Sequence, residues 1–161
     1  MTYEEVLENA KKTMSPKCKV CPECNGIACK GQVPGAGGVK SGRAFTVCRD
    51  FLKSVYVNMD TIHEEKEIDT SIEFLGHKFD VPFFIAPIGG MAFNYTNYLD
   101  ESEYSKAVVF GARACNTLAF TGDGPDDSFF SATLPIIKEA DGIAISTIKP
   151  WEYDKVMHNV R

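Results

Sequence analysis

The chain has 161 residues, of which 44% are hydrophobic and 24% are charged, and its formal net charge is −5. This is the composition of a globular protein that is large enough to bury a core without disulfide staples. The basic residues are scattered among acidic ones and form no patch, so we expect no nucleic-acid partner.

The amino-terminal sequence MTYEEVLENAKKTM has the apolar spacing of a helix, which is predicted over 3–13 and ends at Ser15-Pro16. It lacks the basic segment and apolar run of a signal peptide. The longest apolar stretch, 81–91, is too short for a membrane span and contains two prolines. We therefore expect a cytoplasmic protein with no membrane partner, in which the thiols stay reduced.

Four cysteines follow in the run CKVCPECNGIAC: Cys18, Cys21, Cys24 and Cys29. The spacing C-x2-C-x2-C-x4-C is typical of thiolates that hold zinc or an iron–sulfur cluster, because two-residue spacers let neighbouring sulfurs face one centre. The sequence therefore predicts a zinc or [4Fe–4S] site, with at least three sulfurs able to reach one point. A redox-active dithiol is the alternative.

The next segment, GQVPGAGGVKSG at 31–42, is too rich in glycine for regular structure and is not a dinucleotide-binding fingerprint. A second helix is predicted over 43–53. Cys48 in this helix, and Cys115 further on, stand in apolar surroundings and are predicted to be buried as small hydrophobic residues. Residues 1–60 therefore read as a helical leader rich in cysteine and glycine.

From residue 81 onward, strand-like and helix-like segments alternate, and one more strand-like run precedes them. SIEFLG at 71–76 alternates polar and apolar residues, which predicts a strand with one wet face. Three further strands lie in continuous apolar runs and are predicted to be parallel neighbours, near 83–87, 117–121 and 143–148. Helices are predicted between and after them, near 100–115, 128–140 and 151–161, with the first two on one side of the sheet. This order predicts a parallel α/β architecture, either a doubly wound sheet or a (β/α)8 barrel.

The acidic run GDGPDD follows the strand near 117–121. Asp123, Asp126 and Asp127 are interpreted as a turn and a helix N-cap rather than as metal ligands, because an aspartate before a helix accepts hydrogen bonds from free backbone N–H groups. Trp151 is interpreted as a packing residue.

The stretch MDTIHEEKEIDTSIEFLGHKFDVPFFIAPIGG combines a Leu75-Gly76 turn with a strand from Pro82 to Pro87. It resembles the start of the barrel in the FMN-dependent α-hydroxy-acid dehydrogenases and oxidases. TLAFTGDG and GIAISTIKP are similar to the second and third strands of that barrel, and the cysteine-rich leader with GQVPGAGG resembles a clostridial-type branch. The resemblance implies that 61–161 forms the first three β/α units of a (β/α)8 TIM barrel, incomplete in this chain.

The resemblance further implies that FMN lies at the carboxyl ends of the strands. The backbone of the A-P-x-x segment, formed by Ala86, Pro87, Ile88 and Gly89, would lie against the flavin ring.

Three more residues are implied to contact the cofactor. Thr121 matches a serine or threonine that hydrogen-bonds the pyrimidine side of the ring in this family. Thr147 stands where members usually carry a glutamine to the flavin, and Lys149 stands where many carry a tyrosine near the substrate.

The family's catalytic base, its substrate-binding arginine and its phosphate loops belong to later strands, and His63, His77 and His158 match no catalytic position. The implied function is therefore part of an FMN-dependent oxidoreductase that oxidises a small 2-hydroxy acid such as lactate or glycolate. Alone the chain is expected to be inactive, and it would associate with a complementary carboxyl-terminal half or with another copy. Two alternatives are an FMN-dependent isopentenyl-diphosphate isomerase, which shares the barrel, and a metal-bound structural or interaction module.

Overall fold

The computed structural model describes residues 2–32 and 37–160. Pro34 and Gly35 of the glycine-rich segment lie outside the described residues. The chain divides into two compact units, Met1–Glu67 with Ala92–Tyr98, and Ile68–Met91 with Leu99–Arg161.

The first unit contains two helices that the sequence predicts. Helix α1 (Tyr3–Met14) begins with a capping box, in which Thr2 accepts a hydrogen bond from the backbone of Glu5 and the Glu5 side chain accepts one from the backbone of Thr2. Helix α2 (Arg43–Lys53) begins after Gly42, whose φ of 65° lies in the left-handed region. Both predicted helices are confirmed.

The second unit starts with an antiparallel hairpin of β1 (Ile72–Phe74) and β2 (His77–Phe79), with Phe74 opposite His77. The predicted strand within 71–76 is confirmed over 72–74, and the chain reverses at Leu75-Gly76, the turn that the family resemblance implies. The second strand of the hairpin was not predicted. Leu75 and Gly76 both have positive φ, 51° and 76°, as a two-residue turn between twisted antiparallel strands requires. A leucine in this region is uncommon, so the apolar pattern alone predicts no hairpin with a second strand over 77–79.

Three segments then pair in parallel, as predicted. Ile85 forms a parallel bridge with Ala119, and β3 (Phe120–Thr121) pairs in parallel with β4 (Ile145–Ser146). The regular pairing is shorter than the apolar runs that predicted it. Within the described residues these strands do not close into a barrel, so the (β/α)8 barrel stays a prediction from the family resemblance.

Helices α4 (Glu101–Ala114) and α6 (Leu134–Glu139) cover one face of this sheet. Their apolar side chains form one buried cluster with the middle of the sheet, made of Val109, Ala112, Ala119, Ile136 and Ala140. Burial of this cluster removes apolar surface from water and holds the helices against the strands. The prediction that both helices lie on one side is confirmed.

The predicted helix over 128–140 is instead two helices, α5 (Asp127–Ser131) and α6. Pro135 stands in the first turn of α6, where its missing N–H costs nothing, whereas inside one long helix it would clash with the preceding turn. A short helix α3 (Met91–Asn94) was not predicted, and α7 (Tyr153–Val160) begins two residues after Trp151.

Two predictions about buried cysteines are wrong, since Cys48 and Cys115 are both exposed. Neither cysteine belongs to the buried apolar cluster. A search of the described helices finds none with the length and apolar character needed to cross a membrane.

Candidate functional site at the carboxyl edge of the parallel sheet

The three parallel segments end at the same edge of the sheet. The N–H of Phe120 donates to the Ile85 carbonyl at 2.9 Å, and the N–H of Thr147 donates to the Thr121 carbonyl at 3.2 Å. Because parallel strands run in one direction, the segments that follow them, 86–90, 121–124 and 147–150, emerge side by side. In α/β proteins this edge is the usual place for ligands.

The first two of these segments approach each other closely. A β carbon added to Gly122 would lie 2.2 Å from the Ile88 carbonyl oxygen and 2.4 Å from the Gly89 nitrogen. Only glycine permits this approach. The Glu101 carboxylate, in the first turn of α4, accepts hydrogen bonds from the backbone N–H groups of Gly90 and Met91 at 2.9 Å each. The backbone that follows Ile85 is therefore fixed both by its contact with Gly122 and by its hydrogen bonds to Glu101.

A buried carboxylate joins the second segment to the third. Asp123 is 1% exposed. Its Oδ1 accepts the backbone N–H of Gly124 at 2.7 Å, and its Oδ2 accepts both the backbone N–H of Lys149 at 2.8 Å and the indole N–H of Trp151 at 2.7 Å. Both oxygens of this buried carboxylate therefore have hydrogen-bond partners. Burial of a carboxylate without such partners would cost free energy.

Two lysine ammonium groups lie near the ring of Trp151. The Lys155 Nζ atom is 4.8 Å from the ring centroid, and the Lys149 Nζ atom is 5.9 Å from it. Lys155 also donates to the Pro125 carbonyl at 2.7 Å and pairs with Asp127 at 3.0 Å. These cation–π and polar contacts fix the start of α7 beside the 121–125 segment.

The residues predicted to bind flavin divide into two groups. Most are accessible at the edge: Ala86, Pro87 and Lys149 are exposed, and Ile88, Gly89 and Thr147 are partly exposed. Thr121 is different. It is 3% exposed, and its hydroxyl donates to the Thr133 hydroxyl at 3.4 Å, on the side of the sheet that carries the helices.

The accessible residues fit one edge of a flavin ring in their chemistry. Ala86 is exposed and carries only a methyl group, so an aromatic ring can approach its backbone closely. Lys149 supplies a cation just after the end of β4, on the far side of β3. The hydroxyl of Thr121, by contrast, faces Thr133 and is not presented to this edge.

In the first unit, the structure does not bring the four cysteines together. Cys24 is exposed and the other three are partly exposed. Across 2–32 and 37–160, no three side chains of histidine, cysteine, aspartate or glutamate are grouped as metal ligands. The predicted convergence of the sulfurs is therefore not observed.

The cysteine segment packs on α2 instead. Glu23, between Cys21 and Cys24, forms an ion pair with Arg49 of α2. The hydrogen bond and charge of Arg49 lower the pKa of Glu23 below its ordinary value. At Gly26 a β carbon would lie 2.5 Å from the ring of Phe45, so this turn rests directly on the helix.

The interpretation of the acidic run was right for one aspartate and wrong for another. Asp126 is the N-cap of α5 and accepts the backbone N–H of Ser128 at 2.8 Å. Asp123 is no simple turn residue, since it bonds a segment 26 residues later. The sequence did contain one indication of this role. Asp123 comes just after a predicted buried strand, and the carboxyl end of such a strand lies at the edge where ligands bind.

Comparison with known proteins identifies the family. The family of FMN-dependent dehydrogenases matches residues 35–119, more than half of the chain, and the chain belongs to this family. The matched region includes Ala86, Pro87, Ile88 and Gly89, and it ends before Thr121. No curated protein and no solved structure matches the chain.

Proposed function

We propose that this chain supplies the ring-binding side of an FMN-dependent oxidoreductase that acts on a small 2-hydroxy acid such as lactate or glycolate. One observation carries the proposal. The 86–89 segment, inside the region that matches the FMN-dependent dehydrogenases, is accessible at the carboxyl edge of a parallel sheet. Family membership implies FMN as the cofactor, and the edge is where such folds bind ligands.

The residues of the chain have defined tasks in this proposal. The backbone from Ala86 to Gly89 would hold one edge of the ring, and Thr147 and Lys149 would line the end of β4, two strands away. FMN itself, when bound, accepts the hydride equivalent. The Lys149 ammonium would favour a negatively charged group beside it.

We propose further that this chain alone does not oxidise the hydroxy acid. Oxidation needs a base for the hydroxyl or α proton and a cation that orients the carboxylate. The resemblance assigns these groups to later strands of the barrel. The segment around Ile85 and strand β4 are the outer strands of the described parallel sheet. Outer strands offer backbone groups for pairing, so a complementary half or a second copy is the proposed partner.

Anaerobic mixing of the purified chain, added FMN and excess lactate or glycolate tests the proposed inactivity. The flavin absorbance should stay in its oxidised form for hours. An active FMN-dependent dehydrogenase of the same family, treated identically, is the positive control. Stoichiometric bleaching within minutes would contradict the proposal and would require a base within this chain, of which Lys149 and His158 are the first to substitute.

The cysteine spacing supports a second, separate proposal, that Cys18, Cys21, Cys24 and Cys29 bind zinc or a [4Fe–4S] cluster. Because the sulfurs are not grouped beforehand, binding would draw this segment together, as metal ions do when they order small protein segments. Metal analysis of anaerobically purified protein is the test. Cys21→Ser should lower the metal content, and Cys115→Ser, an exposed cysteine in the other unit, should not. Less than about 0.1 metal per wild-type chain would contradict the proposal.

A further inference from the structure

The buried carboxylate of Asp123 lies between the second and third segments of the candidate flavin edge, and neither the family match nor the predicted flavin contacts include it. It is attached to its own strand end through the N–H of Gly124. Across the edge it accepts two donors, the Lys149 backbone and the Trp151 indole.

We infer that Asp123 is a positioning residue, which holds the 147–151 segment against the 121–124 segment and so fixes the strand ends that face the flavin. This inference rests on the proposed FMN-binding function. Asp123 has no need to touch the cofactor, because it acts through the backbone of Lys149. The effect would be pre-organisation: the segment is ordered before FMN binds, so less freedom is lost on binding.

The geometry requires a carboxylate rather than any polar side chain. Both oxygens accept hydrogen bonds, Oδ1 from Gly124 and Oδ2 from Lys149 and Trp151. Asparagine has the same shape but only one oxygen, so its amide N–H2 would face an N–H donor on one side. Removing a partner from a buried group leaves the remaining donors unsatisfied.

The molecule contains a direct reporter for this contact, because Trp151 is its only tryptophan. Its indole N–H is bonded to Asp123, and Lys155 lies over its ring. A change at Asp123 should therefore alter tryptophan emission in the protein without any cofactor. That measurement is independent of whether FMN binds.

The experiment compares wild type with Asp123→Asn, Trp151→Phe and a control, Asp154→Asn, which changes an exposed carboxylate three residues from Trp151. Asp123→Asn should shift the tryptophan emission to longer wavelength and raise the FMN dissociation constant about tenfold. Trp151→Phe removes one of the two donors by which the 147–151 segment is bonded to Asp123, so it should raise the FMN dissociation constant by a smaller factor, about threefold. Asp154→Asn should match wild type in both measurements, and circular dichroism checks that each variant is folded.

The outcomes separate this inference from the proposed function. If wild type binds FMN and Asp123→Asn binds it equally well, the positioning role is wrong although the function stands. If Asp123→Asn does not fold, an FMN affinity of Trp151→Phe equal to that of wild type overturns the inference. If wild type does not bind FMN, the proposed function fails. In that case an unchanged tryptophan emission in Asp123→Asn would also overturn the contact between the two segments.

Discussion

The backbone of Gly122 packs against the carbonyl of Ile88 so closely that a β carbon on Gly122 would lie 2.2 Å from that oxygen. Two strand ends of the candidate site thus meet through backbone alone. Gly89 takes part in the same contact, since a β carbon there would lie 3.0 Å from the Asp123 nitrogen and 3.0 Å from its carbonyl oxygen. The close contact between the 86–89 and 121–124 segments therefore requires glycine at positions 89 and 122.

Substitution of Gly122 by alanine should therefore destabilise the protein. The added methyl group meets backbone, which cannot move aside as a flexible side chain can, and we expect the free energy of unfolding to fall by about 2 kcal/mol or more. Gly111→Ala is the matched control, because a β carbon there meets nothing within 4 Å and the position is an exposed site inside α4. It should stabilise the protein by about 0.5–1 kcal/mol. Urea unfolding of both variants measures the difference, and equal effects would contradict the close approach.

The start of α4 provides a second prediction. Asp100 accepts the N–H of Glu103 at 2.7 Å, and the Glu103 carboxylate accepts the N–H of Asp100 at 3.0 Å, which together form a capping box. Asp100→Ala should lower the free energy of unfolding by about 1 kcal/mol. Ser102→Ala, in the first turn of the same helix, should change it little. Thermal or urea unfolding that ranks the two variants in the opposite order would rule out this cap.

The N-cap of α5 predicts a dependence of stability on pH. Hydrogen bonds from the side chain and backbone of Ser128 lower the pKa of Asp126 in the folded protein. A carboxylate with a lowered folded pKa contributes stability above its unfolded pKa and loses that contribution as pH falls through the folded value. Wild type should therefore lose stability relative to Asp126→Asn between about pH 5 and pH 2.

Asparagine is a fair comparison here because it caps helices about as well as aspartate but does not titrate. The measurement is the free energy of unfolding of both proteins across this pH range. A difference that stays constant with pH would show that Asp126 has no lowered pKa. A difference that grows in favour of wild type toward acid pH would give the shift the opposite sign.

The sequence predicted the local elements of the sheet region well, and the reasons are visible in particular residues. Asp100 and Glu103 have the spacing of a capping box, which predicts the start of α4. The continuous apolar runs predict buried parallel strands. Pro135 stands in the first turn of α6, and its presence predicts an interruption within 128–140 but not the residue at which α5 ends. The Leu75-Gly76 turn was named, but a leucine with positive φ gives no pattern from which a second strand can be predicted.

The sequence predicts the backbone segments that follow the parallel strands, but it does not predict the long-range contacts between them. The exposure of Ala86 and Pro87 follows from the strand that precedes them. The bond from Asp123 to Trp151 joins residues 28 positions apart, and no local spacing encodes such a pair. The cysteines show the same limit of local patterns. C-x2-C spacing indicates which sulfurs are able to bind one metal ion, but it does not determine the backbone conformation between them.

The most direct test of the account is a comparison of FMN with riboflavin, which has the same ring but no phosphate. We propose that this chain supplies the ring side of the site, and the family resemblance implies that the phosphate loops belong to later strands. Titration followed by flavin fluorescence should therefore show that both ligands bind, with dissociation constants that agree within about threefold, a difference of less than 1 kcal/mol. Binding of neither ligand, or binding of FMN at least about a hundredfold tighter than riboflavin, would contradict it.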